Sequence, residues 1–341
     1  MQLFENKWPA LLLWPLSLLY GVIVRVRNSL YDRGVLPSFK VDKPVISVGN
    51  ITTGGTGKTP LVIFLAKRFN KRGKRVCILS RGFKRNSRGT LIVSDGDKIL
   101  VTIDDAGDEP FQMAKELSTV PVIVDENRVR GARIAIEKFS IDIILLDDGF
   151  QHRRLQRDID IVTFKSAHPL GNGFLLPAGP LREPVSGLKR ADLIWVNGNE
   201  NKPFRREWKN IPLVRADFKA KSLSGFNWQH DPKELGGKRV IGFCGIGRPK
   251  GFKHSLDKLG AKVIRFIVFR DHHKYGINDI RRLEKYFQEA RADLIVTTEK
   301  DWVKLPPEKT YDSQWCYLKI EIETKDDANL ENILSIINDK S

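Results

Sequence analysis

A lysine and a threonine closing a glycine-rich run are the residues of this chain with the plainest chemistry. They end the segment V-I-S-V-G-N-I-T-T-G-G-T-G-K-T, residues 45–59. Gly54, Gly55 and Gly57 let the backbone approach an anion and turn several N–H groups toward it. A helix starting beside them adds the partial positive charge of its N-terminus. Lys58 suits the outer phosphates of a nucleotide and the Thr59 hydroxyl suits a magnesium ion, with Thr52, Thr53 and Thr56 completing the loop. The strict phosphate-loop pattern has a glycine five positions before Gly57, where this chain has Thr52. The flanks fit nonetheless. Val45, Ile46 and Val48 read as a buried strand, and Leu61, Val62, Leu65, Ala66 and Phe69 recur at helical spacing. The chemistry expected here is nucleoside triphosphate binding.

Acids come next. The run I-D-I-I-L-L-D-D, residues 141–148, reads as a buried strand that delivers Asp147 and Asp148 at its C-terminal end, where open α/β sheets place ligands. Either can supply the carboxylate that holds a metal beside the phosphates. Asp108 and Glu109, in G-D-E-P, begin a helix, where acids also serve as caps and dipole partners. Gln151 and His152 follow the acid pair and can orient a water, a metal ligand or a substrate phosphate.

These groups need a frame. At 341 residues the chain has room for about two domains. Lys and Arg number 58 against 41 acids, a net charge of +17, which points to a polyanionic partner: nucleic acid, anionic membrane or phosphorylated substrate. Cys77, Cys244 and Cys316 are far apart and read as isolated thiols in a reducing compartment. Residues 8–24 are almost wholly apolar and precede Arg25, Arg27 and Arg33, the reverse of a secretory signal. A spanning helix needs about 20 apolar residues, and this run is shorter and broken by Pro9, Pro15 and Gly21. With Trp8, Trp14 and Tyr20, it is expected to lie in the headgroup region as an interfacial anchor.

Beyond the phosphate loop, strands are expected at 75–79, 121–124 and 141–148 and helices from 107 and over 129–139. A hairpin is expected from 90–93 and 99–102 around Asp95-Gly96-Asp97. Residues 165–190, rich in Gly and Pro, read as a long functional loop. Strands at 193–196 and 213–216 follow, and a charged stretch at 229–238 marks a boundary. A second strand–helix alternation then runs over 240–244, 251–259, 263–269, 278–290, 294–297, 316–322 and 330–337. The fold expected is α/β, a P-loop NTPase-like, mainly parallel sheet with helices on both faces over residues 35–230. A smaller C-terminal α/β domain over 231–341 and a membrane-interfacial helical segment over 1–34 complete it.

Residues 49–60, G-N-I-T-T-G-G-T-G-K-T-P, resemble the signature of the lipid A 4′-kinases (tetraacyldisaccharide 4′-kinases), which also lack the strict first glycine. Ser80-Arg81-Gly82, Gly107-Asp108-Glu109-Pro110, Asp147-Asp148-Gly149-Phe150-Gln151-His152, L-P-A-G-P-L-R-E-P at 176–184, Asp271-His272-His273 and Thr298-Glu299-Lys300-Asp301 resemble that family's further blocks, in its order. Two departures stand out: Phe83-Lys84 after Gly82, where the family more often has Tyr-Gly-Gly, and Arg270 before Asp271, where proline is usual.

The resemblance implies transfer of the ATP γ-phosphate to the 4′-hydroxyl of a tetraacyl glucosamine disaccharide 1-phosphate, giving the 1,4′-bisphosphorylated lipid A precursor at the cytoplasmic face of the inner membrane. It makes Asp108 the catalytic base, helped by His272, with the tandem His273 left as an alternative. Lys58 then holds the β- and γ-phosphates, Thr59 and Asp147 hold Mg²⁺, and Glu109 and Gln151 lie near the metal. Arg182 stabilises the transferring phosphoryl or grips the sugar phosphate, and Asn50, Arg81, Asp148 and His152 are expected at the substrate. The partners expected are the glycolipid and the inner-membrane surface, with no nucleic acid and no obligate protein. Other phosphate-loop kinases or ATPases do not account for the apolar N-terminus, and a nucleic-acid-binding ATPase remains a rival that the charge permits.

Overall fold

Short β-branched runs, each followed by an amphipathic segment, build a layered fold in the computed structural model. It describes residues 7–198, 208, 210–247, 249–306, 312–325 and 327–338. The chain forms two compact units, Met1–Asp217 with Ile322–Ser341, and Phe218–Glu321.

The first unit begins with α1 (Lys7–Asp32) and continues through β1 (Val45–Gly49), α2 (Lys58–Lys71), β2 (Val76–Ser80), β3 (Leu91–Asp95), α3 (Ile103–Ala106) and α4 (Asp108–Glu116). It goes on through β4 (Pro121–Val124), α5 (Arg128–Lys138), β5 (Ile143–Asp147), β6 (Ile159–Lys165), β7 (Leu193–Asn197) and the start of β8 (Leu213–Ser224). Its strands lie in the order β8-β7-β6-β1-β5-β2-β4-β3, all parallel except β3, which is antiparallel to β4. Along β1 the side chains alternate. Ile46 and Val48 enter a core with Leu61, Leu65 and Phe69 of α2 and Met113 of α4, while Val45 faces Val129, Ala132 and Ala135 of α5. Both faces of the sheet are therefore covered by helices, which is why strands such as β1 and β5 are apolar without interruption.

The second unit runs through β9 (Gln229–His230), β10 (Arg239–Cys244), α6 (Pro249–Lys258), β11 (Lys262–Val268), α7 (Ile277–Glu289), β12 (Leu294–Thr298), α8 (Glu299–Trp302) and most of β13 (Trp315–Thr324). Its parallel strands lie in the order β11-β10-β12-β13. Val240 and Leu256 mark the core on one face, Ile241, Phe243 and Leu283 that on the other. The closing helix α9 (Asp327–Asn338) belongs to the first unit, where Leu330, Leu334 and Ile337 join the core of α2. The charged stretch at 229–238 lies inside the second unit.

Two local expectations change. Residues 99–102 form no strand, because Thr102 caps α3 by accepting the Asp105 N–H at 3.3 Å. The turn around Gly96 still closes as a short hairpin, with Ser94 and Ile99 bridging and Leu100 N–H donating to the Val93 carbonyl at 2.9 Å, while the length of β3 pairs with β4. Strand β6, beside β1 in the sheet, was not foreseen at all.

α1 has two faces. Ser17, Gly21 and Val24 are buried, whereas Leu12, Leu16, Leu19, Val22, Ile23 and Val26 are exposed, Leu19 at 60% and Ile23 at 58%. The side chains of residues 8–11, part of the expected anchor, lie outside the described residues. The helix runs on through Pro15 instead of breaking there, and no helix among the described residues is long and apolar enough to cross a membrane.

Candidate active site

The phosphate loop leaves the C-terminal end of β1 between β5 and β6. Gly54 and Gly57 take φ values of 96° and 90°, and Gly57 caps α2 so that Lys58 and Thr59 open its first turn. A buried polar network holds the loop in shape. The Asn50 amide donates to Thr56 Oγ1 at 2.9 Å, Thr56 and Thr163 share a hydroxyl contact at 2.7 Å, and Thr163 donates to the Gly49 carbonyl at 3.1 Å. Asn197 donates to the Thr56 carbonyl at 2.6 Å, and Trp195 Nε1 donates in turn to Asn197 Oδ1 at 2.9 Å. Thr163, Trp195 and Asn197 come from β6 and β7, far along the chain. Their pairing with the loop could not be read from sequence.

The Gly/Pro-rich segment is the loop's other wall. Thr53 N–H donates to the Pro180 carbonyl at 2.7 Å and Arg182 N–H to the Ile51 carbonyl at 2.8 Å, with a bridge between Thr52 and Leu181. This ladder delivers Arg182 to Asp148. Its Nη1 donates to both carboxylate oxygens at 3.0 Å, and Lys58 Nζ lies 3.4 Å from the same group. Asp148 takes the left-handed backbone conformation, φ 49°, which turns it out from the end of β5. Burial alone would raise its pKa, yet Lys58 and Arg182 hold it below the usual carboxylate range.

Asp147, at the end of β5 and 1% exposed, is the opposite case. Ser80 Oγ donates to its Oδ2 at 3.0 Å, while its Oδ1 is buried with no hydrogen-bond partner. Burial, then the nearby carboxylates of Glu109 and Asp148, push its pKa well above the ordinary range against the pull of Lys58. An unsatisfied carboxylate oxygen among like charges is an arrangement that a divalent cation relieves. Among the described residues no three His, Cys, Asp or Glu side chains form a metal cage by themselves. A magnesium ion would therefore take Asp147 and Thr59 together with water and phosphate oxygens, its usual preference.

Asp108 and Glu109 form the first turn of α4. Gly107 before them has φ 87° and ψ 154°, open essentially to glycine alone, and a Cβ there would lie 3.0 Å from the Phe83 carbonyl. Gln151 braces the loop: its amide nitrogen donates to the Asn50 carbonyl and to Glu183 Oε1, each at 2.7 Å. Arg81, at the end of β2, is exposed, and its charge bears on buried Arg128, whose pKa burial lowers to about 10. Arg128, at the start of α5 and within the field of Asp147 and Asp148, was missed in the sequence. His152 is held far below its usual pKa, at about 4, by burial and then by Arg128, Arg157, Arg27 and Arg154.

The remaining predicted residues lie in the second unit. His272 N–H donates to the Gly245 carbonyl at 3.3 Å, with φ 63°. His273 Nε2 pairs with Asp279 at 2.9 Å, and its ring stacks on Phe269. Asp301, of the Thr298–Asp301 block, accepts the Gly245 N–H at 2.9 Å and caps α8 with Thr298, so its part there is structural.

The family model for tetraacyldisaccharide-1-P 4′-kinase matches residues 9–338. The chain is 41% identical over 344 residues to the tetraacyldisaccharide 4′-kinase of Syntrophus aciditrophicus, covering 95% of this chain and 92% of that protein. It is 41% identical over 294 residues to the one from Aquifex aeolicus, covering 86% and 89%. It is also similar to the crystal structure of LpxK from Aquifex aeolicus in complex with ATP, with 37% identity, a TM-score of 0.80 and coverage of 96% of this chain and 99% of that one.

Proposed function

The chain belongs to the tetraacyldisaccharide-1-P 4′-kinase family, and we propose that it transfers the γ-phosphoryl of ATP to the 4′-hydroxyl of a tetraacyl glucosamine disaccharide 1-phosphate. The enzyme is a kinase that phosphorylates a hydroxyl group in lipid A biosynthesis. The observation carrying the residue assignments is the convergence of Lys58 and Arg182 on Asp148, beside buried Asp147 with its unsatisfied oxygen.

Lys58 and the amides of residues 54–59 take the β- and γ-phosphates, and Thr59, Asp147 and Glu109 serve Mg²⁺, which when bound would neutralise charge on the phosphate oxygens. Arg182 offers a planar guanidinium within reach of the same carboxylate as Lys58, so both cations meet the charge spread over the moving phosphoryl. Asp108 draws the proton from the sugar hydroxyl. The proton-relaying part is assigned to His272, as the family resemblance implies, while its neighbour His273 pairs with Asp279 and stacks on Phe269. Arg81 and Arg128 are basic groups suited to a substrate phosphate, and the neutral ring of His152 is suited to a sugar hydroxyl. Asn50 and Gln151 support the loop more than they touch ligand.

The exposed apolar face of α1 suits the headgroup region of the cytoplasmic face of the inner membrane, where a two-faced helix with arginines in its C-terminal half, Arg25 and Arg27, rests without spanning. The test is transfer of labelled γ-phosphate from ATP to detergent-solubilised tetraacyldisaccharide 1-phosphate, with Asp108→Ala alongside. Phosphorylated lipid from the wild type and a loss of about 10²–10⁴ in rate for the variant, with ATP still bound, is the expected result. ATP hydrolysis without lipid product would sink the acceptor assignment.

A further inference from the structure

The buried face of α1 does more than seat the helix on the Gly/Pro-rich segment and the turn after β5. Four polar side chains along one stripe, at i, i+3, i+10 and i+11, reach main-chain or acidic groups that flank the site. Ser17 Oγ donates to the Leu175 carbonyl at 2.9 Å, and the Tyr20 hydroxyl donates to the Arg182 carbonyl at 2.7 Å. Arg27 Nη2 donates to the Gln151 carbonyl at 2.7 Å, and Asn28 Nδ2 to Glu183 Oε2 at 3.3 Å. Arg182 is thus held at both main-chain groups, its N–H by the phosphate loop at Ile51 and its carbonyl by α1. Gln151 is held likewise, its carbonyl by Arg27 and its side chain by Asn50 and Glu183.

Resting on the kinase reading above, we propose that Tyr20 and Arg27 are positioning residues for phosphoryl transfer. They fix the main chain from which Arg182 reaches Asp148 and from which Gln151 braces the phosphate loop, so α1 sets the aim of the transferring groups. A shift of about 1 Å at a group that meets the moving phosphoryl is enough to cost rate without weakening ground-state binding. The signature is therefore a loss in kcat that KM does not share.

The test uses the full chain with saturating ATP and lipid substrate in mixed micelles. It includes co-sedimentation with phosphatidylethanolamine–phosphatidylglycerol vesicles and thermal melting of each variant. Tyr20→Phe removes one hydroxyl and should lower kcat about five-fold, the worth of one hydrogen bond of about 1 kcal/mol. Arg27→Met should lower it by a similar factor, and Arg27→Lys, whose ammonium still reaches a carbonyl, should restore part of the loss. KM for ATP, vesicle binding and melting temperature stay near wild type. In an Arg182→Ala background, Tyr20→Phe should change kcat by less than about two-fold, because the residue through which it acts is gone. Unchanged kcat in Tyr20→Phe and Arg27→Met, a loss that tracks vesicle binding or melting, or full additivity with Arg182→Ala would each overturn the proposal. Wild type that makes no phosphorylated lipid would instead sink the kinase reading, and this inference with it.

Discussion

Burial and charge act in opposite senses on neighbouring residues of the site. Asp147 is pushed toward its neutral form by burial and two nearby carboxylates, whereas Asp148, one residue on, is held ionised by Lys58 and Arg182. His152 is the third case, with a folded pKa of about 4 against an ordinary 6.5. Above pH 6.5 the ring is neutral in both folded and unfolded chains and costs nothing. As pH falls from 6.5 toward 4, the unfolded ring takes up a proton that the folded one refuses, so stability is lost over that window. Partial exposure screens the effect, leaving it of the order of 1–2 kcal/mol. Melting curves at pH 7 and pH 4.5 should thus show a smaller drop for His152→Gln than for wild type. An equal drop in both would mean that the arginines around the ring do not hold it neutral. The place of Asp147 at the end of a buried strand was legible in the sequence, because the apolar run of 143–146 stops at a pair of acids. The low pKa of His152 was not, since it depends on arginines from residue 27 to residue 157 that only the fold gathers.

At the level of elements, each chemical group sits where a strand or helix ends. β1 ends in the phosphate loop, β5 in Asp147 and Asp148, β2 in Ser80, and α4 begins at Asp108. Gly107 sets that last start. With φ 87° and ψ 154°, a side chain there is strained by about 1–3 kcal/mol and its Cβ meets the Phe83 carbonyl. Gly107→Ala should lower the melting temperature and reduce kcat more than it weakens ATP binding, because Asp108 moves while Lys58 does not. Nucleotide binding lost in parallel with kcat would show that the whole loop had shifted. Lys84 offers a related contrast. It occupies the left-handed region at φ 61°, in the stretch where the sequence departs from the resembling family's glycines. The parallel α/β frame could be read from alternating apolar and amphipathic runs. Strand β6 escaped because its alternation is short, I-D-I-V-T-F-K, and its polar members are buried, Asp160 against the guanidinium of Arg157 and Thr163 against the Gly49 carbonyl far back in the chain. The hairpin expected at 90–102 closes at its turn, where Leu100 N–H donates to the Val93 carbonyl at 2.9 Å, but its second arm stops short and Thr102 goes to cap α3.

For the molecule as a whole, the proposed residence at an anionic lipid surface would draw on two features, the net charge of +17 and the apolar face of α1. The two forces differ in how they respond to salt and to mutation. Lys and Arg near an anionic leaflet contribute about 1 kcal/mol each and are screened within about 10 Å at 0.1 M salt. Burying an apolar side chain contributes about 1.5–3 kcal/mol when complete, and salt leaves that part in place. Leu19 and Ile23 are exposed, so Leu19→Gln/Ile23→Gln removes apolar area without touching the contacts of Tyr20 and Arg27. On vesicles containing phosphatidylglycerol the double variant should bind at least about ten-fold more weakly than wild type, at about half of full burial per residue. Raising salt to 1 M should weaken wild type only in part, leaving an apolar remainder that the double variant lacks. If salt alone released the wild-type protein and the double variant bound as tightly as wild type, the surface charge would hold the enzyme to the membrane and α1 would serve the site alone.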